Sequence, residues 1–159
     1  DEWEKAANKF EALNARVVKI RTGVVLSQEG GALPKIILSL KGNIGTVLGS
    51  GNQYYSWIHI DDIANVFVEA ILNPKMEGIY NGVSPQPVIF SAIIDSAAKA
   101  MQKKHLNIKV PAIAIKLAMG EQSAIVLDSC NASAQKVIDT GFQFQFQNID
   151  EAMRDLVGE

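Results

Sequence analysis

The sequence predicts an α/β fold, in which buried strands of a parallel sheet alternate with amphipathic helices. Residues 15–26 are apolar on both faces, as in a buried parallel strand, with β-branched residues at Val17, Val18, Ile20, Val24 and Val25. Residues 63–71 instead carry apolar side chains at i, i+3, i+4, i+7 and i+8, the pattern of a surface helix. The chain has 159 residues, of which 48% are hydrophobic and 20% charged, so it can bury a core around such a sheet.

The first predicted element is a helix, because one helical face carries Trp3, Ala6, Ala7 and Phe10. The chain has no initiator methionine, and we expect it to start inside this helix, as a fragment of a longer protein would. After the strand, residues 27–40 are expected to be a glycine-containing loop and a short apolar helix with Pro34 in its first turn. The glycine-rich residues 41–53 are expected to form a loop, with or without a short strand.

Residues 56–62, SWIHIDD, place a histidine before paired aspartates. They could be a catalytic or metal site, or only the junction of a strand and a helix. The apolar stripe that starts at Ile63 favours the junction. Asp61 or Asp62 is then expected to be the N-cap residue, accepting free N–H groups of the helix. His59 is expected to pack or form a hydrogen bond at the end of the strand.

Two strands and two helices are predicted between residues 78 and 120. Residues 78–90 read as a short strand, a loop and an extended segment, and the amphipathic helix after them is expected to be capped by Ser91. A strand around residues 108–110 leads into a helix with Pro111 in its first turn and Gly120 past its end.

The last thirty residues predict a short helix, a strand and a final helix. Ser133 is expected to cap the short helix and Gly141 to stop it. Residues 142–147, FQFQFQ, alternate like a strand with one buried aromatic face, with edge pairing to a partner as the alternative. Asn148 is expected to cap the final helix.

Composition excludes several classes of function. The chain has 15 basic and 17 acidic residues, with a formal net charge of -2, which argues against a nucleic-acid-binding surface. Cys130 is the single cysteine, so no internal disulfide can form, and we expect a reducing, cytoplasmic setting with a buried, inert thiol. No apolar run approaches the roughly 20 residues that a membrane span needs.

Motifs that carry chemistry are weak in this sequence. The glycines Gly42, Gly45 and Gly49 follow a predicted helix, unlike a phosphate-binding loop, so a segment lining a substrate pocket is favoured. His59 and His105 have no converging ligands in sequence, and we predict no metal site. No tyrosine precedes a lysine by four residues, and there is no G-x-S-x-G motif. We therefore predict no catalytic residue in this chain.

Five segments occur in an order that carries a family resemblance: RVVKIRTGVVLSQEGGALPKI, GSGNQYYSWIHIDDIANVF, YNGVSPQPV, VPAIAIKLAMGE and TGFQFQFQNIDEAM. Together they resemble the C-terminal half of the nucleotide-sugar-epimerase-like short-chain dehydrogenase/reductase family, in the atypical subgroup that ends in a small domain of unknown function. The resemblance implies part of an extended, NAD(P)-binding Rossmann-type fold at residues 1–104. It implies a small α+β substrate-side domain at residues 105–159.

The resemblance also implies where ligands bind. Arg21, Thr22 and Gly23 would lie near the nicotinamide end of the cofactor. The segments 30–33 and 49–53 would line the substrate pocket, and the implied substrate-binding residues are Leu33, Gly51, Gln53 and Trp57. The subgroup commonly has an arginine where this chain has Asn52, so a UDP-sugar-like substrate is doubtful, and a usual proline is replaced by Ala134.

The function implied for the whole protein is that of an NAD- or NADP-dependent oxidoreductase or epimerase acting on a small-molecule substrate. The glycine-rich turn and the catalytic tyrosine and lysine of the family are not in this chain, so the chain alone is expected to be inactive and to bind no cofactor. One alternative is a non-catalytic binding or regulatory module, since some relatives are labelled cell-division inhibitor. Another is a structural piece that forms a homodimer through an exposed sheet edge.

Overall fold

Parallel strand pairs alternate with helices in the computed structural model, which describes residues 2–158, and this confirms the α/β fold. The strands are β1 (Val18–Thr22), β2 (Val24–Leu26), β3 (Ile44–Leu48), β4 (Tyr54–Tyr55), β5 (Trp57–His59), β6 (Gly78–Gly82), β7 (Val88–Ile89) and β8 (Leu106–Val110). The α-helices are α1 (Glu2–Asn8), α2 (Leu33–Lys41), α3 (Ile60–Leu72), α4 (Phe90–Ala100), α5 (Ala112–Met119), α6 (Ala124–Leu127), α7 (Gln135–Ile138) and α8 (Ile149–Val157). Short 3-10 helices lie at Glu11–Leu13 and Gly120–Ser123.

Three of the strand pairs are parallel: β1 with β6, β2 with β5, and β3 with β8, whereas β4 and β7 are antiparallel. The predicted strand at residues 15–26 is therefore two strands, separated at Gly23. There the chain changes partner, because the Gly23 N–H donates to the Gly82 carbonyl and the Val24 N–H donates to the Ser56 carbonyl. Within residues 2–158, β1 pairs with β6 alone.

Two apolar clusters form the core. The larger one lies between α2, β3, α4 and α8, with fully buried side chains that include Leu33, Leu40, Ile94 and Met153. The smaller one joins α3 and β6 to the segment around α7. Strand β8 of the predicted C-terminal domain pairs with β3, and α8 packs on α4, so both predicted domains contribute to one core. The boundary between residues 104 and 105 stays a prediction.

Helix α3 begins three residues earlier than predicted, at Ile60, and its N-cap residue is His59 rather than either aspartate. The Nδ1 atom of His59 accepts the Asp61 N–H at 3.1 Å, which is the hydrogen bond that an aspartate cap would otherwise make. The expectation that Asp61 or Asp62 caps the helix is therefore wrong. Both lie in the first turn, where their charge complements the helix dipole.

Residues 142–147 do not form the predicted strand. The N–H groups of Gln145 and Phe146 donate to the buried Asp62 carboxylate, at 2.8 and 3.0 Å, so they cannot enter a sheet ladder. The three phenylalanines still face the protein, and Phe144 is buried. Phe146 stacks on the His59 ring with centroids 3.8 Å apart.

Three predicted helix starts agree with the structure. Asn148 accepts the Glu151 N–H at 3.0 Å and caps α8, as predicted. Pro34 and Pro111 lie at the predicted helix starts.

The two predicted serine caps are wrong. Ser91 does not cap α4, because the helix already begins at Phe90 and its N-cap residue is Ile89. Ser133 is not the N-cap residue of α7, which is Ala134, although the Ser133 hydroxyl accepts the Gln135 N–H at 3.1 Å.

None of the helices in residues 2–158 has the length and apolar composition needed to cross a bilayer.

The C-terminal end of α3 is held by Arg16, whose guanidinium donates to the carbonyls of Ala70, Ile71 and Met76 at 2.7 to 3.0 Å. The bonds to Ala70 and Ile71 satisfy carbonyl groups that the last turn of α3 leaves free, and the bond to Met76 holds the loop that follows the helix. They join the chain just before β1 to the helix that follows β5.

Candidate functional site

The carboxyl ends of β1 and β6 lie side by side, with Thr22 opposite Gly82. In open parallel sheets, ligands bind in the crevice outside the carboxyl ends of the strands. Thr22 is exposed at this edge, and Gly23 follows it. A Cβ atom on Gly23 would lie 2.1 Å from the Ser56 carbonyl oxygen, so only glycine lets the two backbones approach here.

Arg21 is already paired in this structure. Its Nε and one terminal nitrogen donate to the two Glu4 carboxylate oxygens at 2.7 and 3.0 Å. The hydrogen bond to Arg21 lowers the pKa of Glu4, and the same bond raises the pKa of Arg21. The guanidinium therefore links β1 to α1. Of the other two residues predicted near the nicotinamide, Gly23 has no side chain, and the Thr22 hydroxyl has no hydrogen-bond partner in the described part of the chain.

A cavity of about 560 Å³ lies beside this edge, between α2 and β3. We call it the α2–β3 cavity. One helical face of α2 and its N-cap contributes Ala32, Lys35, Ile36 and Ser39, at i, i+3, i+4 and i+7. Thr46 and Leu48 face it from β3, because alternate strand residues share a face, while Val47 between them is buried in the core. Its volume is in the usual range for a small-molecule site.

Residues 119–126 close the far side of the α2–β3 cavity, through Met119, Ile125 and Val126. Two buried side chains hold them there. The Gln53 Nε2 atom and the Tyr55 hydroxyl both donate to the Val126 carbonyl, at 3.0 and 2.9 Å. Burial raises the pKa of Tyr55 to about 12, so the hydroxyl stays protonated and keeps donating at neutral pH.

The four predicted substrate-binding residues are all buried, and none of them is among the residues that line the α2–β3 cavity in the described part of the chain. Leu33 belongs to the core, next to the lining residue Ala32. The Trp57 Nε1 atom donates to the Gln86 carbonyl at 2.9 Å. Gln53 holds the Leu48 carbonyl at 2.9 Å as well as Val126. Gly51 packs against Val47. Direct contact between these four residues and a substrate stays a prediction.

Sequence reasoning missed most of the residues that line the cavity: of the two segments expected to line a pocket, 30–33 contributes Gly31 and Ala32, whereas 49–53 contributes none of the described lining residues. The helical spacing from Ala32 to Ser39 and the alternation of Thr46 and Leu48 were both readable in the sequence. The packing of α2 on β3 brings these two sets of residues together. No local sequence pattern shows that a space remains between the face of α2 and the face of β3.

His59, Asp61 and Asp155 bring one ring nitrogen and two carboxylates within reach of a common point. Sequence reasoning did not connect Asp155 to the histidine. The His59 Nε2 atom lies 3.2 Å from the Asp155 carboxylate, and Nδ1 accepts the Asp61 N–H. Since both nitrogens have partners, the ring is fixed in one tautomer, with its proton on Nε2. This arrangement orients the cap of α3.

Cys130 is exposed, so the expectation of a buried thiol is wrong. The backbone groups of Cys130, rather than its thiol, hold the chain around residue 130 against β4. The Cys130 N–H donates to the Tyr54 carbonyl at 2.9 Å, and the Ser56 hydroxyl donates to the Cys130 carbonyl at 2.9 Å. Asn52 is exposed on its turn, and Ala134, in place of a family proline, is buried in the smaller core cluster.

Comparison with known proteins places residues 110–156 in the family described as a domain of unknown function, DUF1731. Over 158 residues the chain is 39% identical to a protein named epimerase family protein from Staphylococcus aureus (strain MRSA252). That match covers 99% of this chain and 52% of the relative. The chain thus spans about half the length of the curated relatives it matches.

Solved structures of epimerases also match this chain over about half of their length. The human epimerase family protein (isoform 2), whose crystal structure contains NADPH, matches with a TM-score of 0.84 and 26% identity, over 96% of this chain and 54% of that one. A Thermus thermophilus UDP-glucose 4-epimerase in complex with NAD matches with a TM-score of 0.74 and 16% identity, over 98% of this chain and 50% of that one. The second likeness concerns the fold alone. Together these findings confirm both the predicted Rossmann-type fold and the family resemblance.

Proposed function

This chain corresponds to about half of an epimerase family protein and carries a DUF1731 domain, and from that premise we propose that it supplies the substrate-side half of an NAD(P)-dependent oxidoreductase or epimerase. The cofactor would be held mainly by the other half of the whole protein. The chain alone would then lack turnover, because hydride transfer needs a bound nicotinamide.

The observation that carries the proposal is the junction of the sheet edge and the α2–β3 cavity. Thr22 ends β1, and Gly23 follows it, at the edge where Rossmann-type folds bind their cofactor. Val24, the next residue in the chain, lines the cavity. A substrate in the cavity would therefore lie next to a nicotinamide at the edge, which is the placement that hydride transfer requires.

This chain would contribute binding and positioning. Thr22 offers an exposed hydroxyl to the cofactor, and the close backbone contact at Gly23 keeps side-chain atoms out of the space at the edge. The apolar wall of the cavity excludes water from the reacting carbon. The group that moves the substrate proton would come from the other half.

Calorimetric titration with NADPH tests the proposal. We expect a polypeptide that contains this chain and the remaining half of its relatives' length to bind NADPH with a stoichiometry of one. We expect the chain alone to bind at least about 100-fold more weakly, since most cofactor contacts are absent. Failure of the longer polypeptide to bind either NADPH or NADH would overturn the proposal.

A pair of threonine variants tests the site itself. Thr22→Val removes the hydroxyl at the sheet edge and should weaken NADPH binding by about three- to tenfold, the usual effect of one hydrogen bond. Thr140→Val removes a hydroxyl that donates to the Val137 carbonyl, far along the chain, and should leave NADPH affinity unchanged. Equal loss in both variants would show that Thr22 acts through stability and not through cofactor contact.

The setting and assembly of the protein are also proposals. We place it in the cytoplasm, where an unpaired exposed thiol such as Cys130 stays reduced. The edge of β1 that does not face β6 would be covered by the other half of the protein or by a second copy. Sedimentation of the longer polypeptide distinguishes these, since only the second alternative gives a dimer.

A further inference from the structure

We infer that the α2–β3 cavity accepts an apolar molecule that carries one anionic group, such as a medium-chain carboxylate, with Lys35 as the residue that binds the anionic end. The inference rests on the proposed function, because it names the class of substrate that the same site would take. It differs from the nucleotide sugars that the names of several structural neighbours mention.

The wall of the cavity is mainly apolar, and each of its sides carries an apolar side chain. Ile36 faces it from α2, Leu48 from β3 and Phe90 from α4. Met119 and Ile125 face it from the segment that closes the far side, and Ile125 is 73% exposed. Burying such surface against an alkyl chain is favourable by about 25 cal/mol per Å² of apolar area removed from water.

Two of the three hydroxyl groups that line the cavity are occupied by the protein itself, whereas the Thr46 hydroxyl has no hydrogen-bond partner within residues 2–158. Ser39 donates its hydroxyl hydrogen to the Ile36 carbonyl at 3.0 Å, and Tyr55 donates to the Val126 carbonyl. A hexose would bring several hydroxyl groups into this space and lose their hydrogen bonds to water. Each unpaired group costs about 1–3 kcal/mol, so the wall disfavours a sugar.

In the described part of the chain, Lys35 is the one charged residue that lines the cavity. It is exposed on α2, three residues after Ala32 and one before Ile36, so its side chain contacts both the cavity and solvent. Among residues 2–158 no carboxylate forms an ion pair with it. The cation is therefore available to a ligand, and a single positive charge beside an apolar space matches a ligand with a single negative charge.

Titration calorimetry with decanoate, decanol and UDP-glucose tests the inference on the 159-residue chain. We expect saturable 1:1 binding of decanoate, weaker binding of decanol and none of UDP-glucose. Lys35→Gln should weaken decanoate binding by about tenfold, the usual effect of a charged hydrogen bond, and change decanol binding by less than about twofold. Lys41→Gln is the matched control, since Lys41 is exposed on the same helix outside the cavity and should change neither.

Variants that fill the cavity separate this site from the other exposed apolar surface of the protein. Thr46→Phe places a ring in the space from β3, and Ser39→Phe does so from α2. Either variant, once circular dichroism and thermal unfolding show that it is folded, should abolish decanoate binding. Because the two variants lie on different walls of the cavity, the test can still be made with one variant if the other does not fold.

Three results would overturn the inference: no saturable decanoate binding, equal losses in Lys35→Gln and Lys41→Gln, or full decanoate affinity in a folded cavity-filling variant. Binding of UDP-glucose at the cavity would overturn it too. These failures are distinct from failure of the proposed function. The decanoate titration needs no cofactor, whereas the NADPH titration of the longer polypeptide needs no substrate.

Discussion

The Asp62 carboxylate accepts the backbone N–H of Gln145 at 2.8 Å, across 83 positions of sequence. Its second oxygen accepts the Phe146 N–H at 3.0 Å. Asp62 is fully buried, so these two bonds replace the water that the carboxylate would have in the unfolded chain. One charged side chain in the first turn of α3 thereby fixes the path of the segment that precedes α8.

Replacing Asp62 with alanine should lower the free energy of unfolding by about 3 kcal/mol, because two buried N–H donors lose their acceptor. Asp61→Ala is the matched control, since Asp61 lies in the same helical turn but is exposed. It removes a similar dipole interaction and should cost less than about 1 kcal/mol. Urea unfolding measures both, and equal losses would show that helix charge rather than the link to Gln145 stabilises the fold.

Gly23→Ala should destabilise the protein by at least about 2 kcal/mol, because the added Cβ would lie 2.1 Å from the Ser56 carbonyl oxygen and 2.8 Å from the Val83 side chain. Gly30→Ala is the control, since its Cβ would meet no atom within 4 Å, and it should change stability by less than about 0.5 kcal/mol. Thermal unfolding of the two variants checks this. An unchanged melting temperature in Gly23→Ala would contradict the close contact.

Tyr55→Phe should loosen the segment that closes the α2–β3 cavity, because the Val126 carbonyl loses one of its two donors. The expected cost is about 1 kcal/mol, which corresponds to roughly fivefold faster amide exchange in residues 124–128. Tyr54→Phe removes an exposed hydroxyl from the neighbouring residue and serves as the control. Hydrogen exchange read by mass spectrometry would refute the role of Tyr55 if both variants exchanged alike.

Lys99→Gln should reduce stability above about pH 3.8 and change it little in strong acid. The hydrogen bond from Lys99, and after it the one from Ser96, lowers the pKa of Asp150 below its ordinary value of 3.8. A lowered pKa in the folded state stabilises the protein above pH 3.8, and this contribution is lost as the pH falls through the lowered pKa. Because both groups are largely exposed, the contribution at neutral pH is below about 1 kcal/mol.

An NMR titration of the Asp150 carboxyl measures the effect directly. Its pKa should rise in Lys99→Gln and stay the same in Lys103→Gln, which removes an exposed charge from the turn after the same helix. The acid unfolding midpoint of Lys99→Gln should move to higher pH. A Lys99→Gln protein with an unshifted Asp150 pKa would show that the ion pair seen here does not persist in solution.

Elements whose signals are local could be predicted from the sequence. The apolar stripe from Ile63 predicted α3, and Asn148 predicted the cap of α8, because period and caps depend on residues within one or two turns. The FQFQFQ segment failed for the opposite reason. Its alternation is real, but Asp62 takes two of the N–H groups that a strand would need. A tertiary contact of that kind leaves no mark in the local pattern.

The same distinction between local signals and tertiary contacts applies to the candidate site. The carboxyl edge at Arg21 to Gly23 could be placed from the family resemblance, since it lies at the end of a recognisable strand. The α2–β3 cavity as a whole could not, because its wall combines residues that are far apart in the sequence, from Val24 to Val126. Within the predicted segment 30–33, Leu33 is in the core, whereas its neighbour Ala32 lines the space.

The acceptor that holds residues 119–126 over the cavity is a backbone carbonyl, at Val126. No substitution at position 126 removes a backbone carbonyl, whereas a single base change can remove either donor. The evolutionary freedom of the two sides is therefore unequal. The closing segment can vary its side chains, and with them the shape offered to a ligand, as long as Gln53 and Tyr55 are kept. If the cavity takes a substrate, as proposed, substitutions in residues 119–126 would change the shape of the binding site while the contact at Val126 is kept.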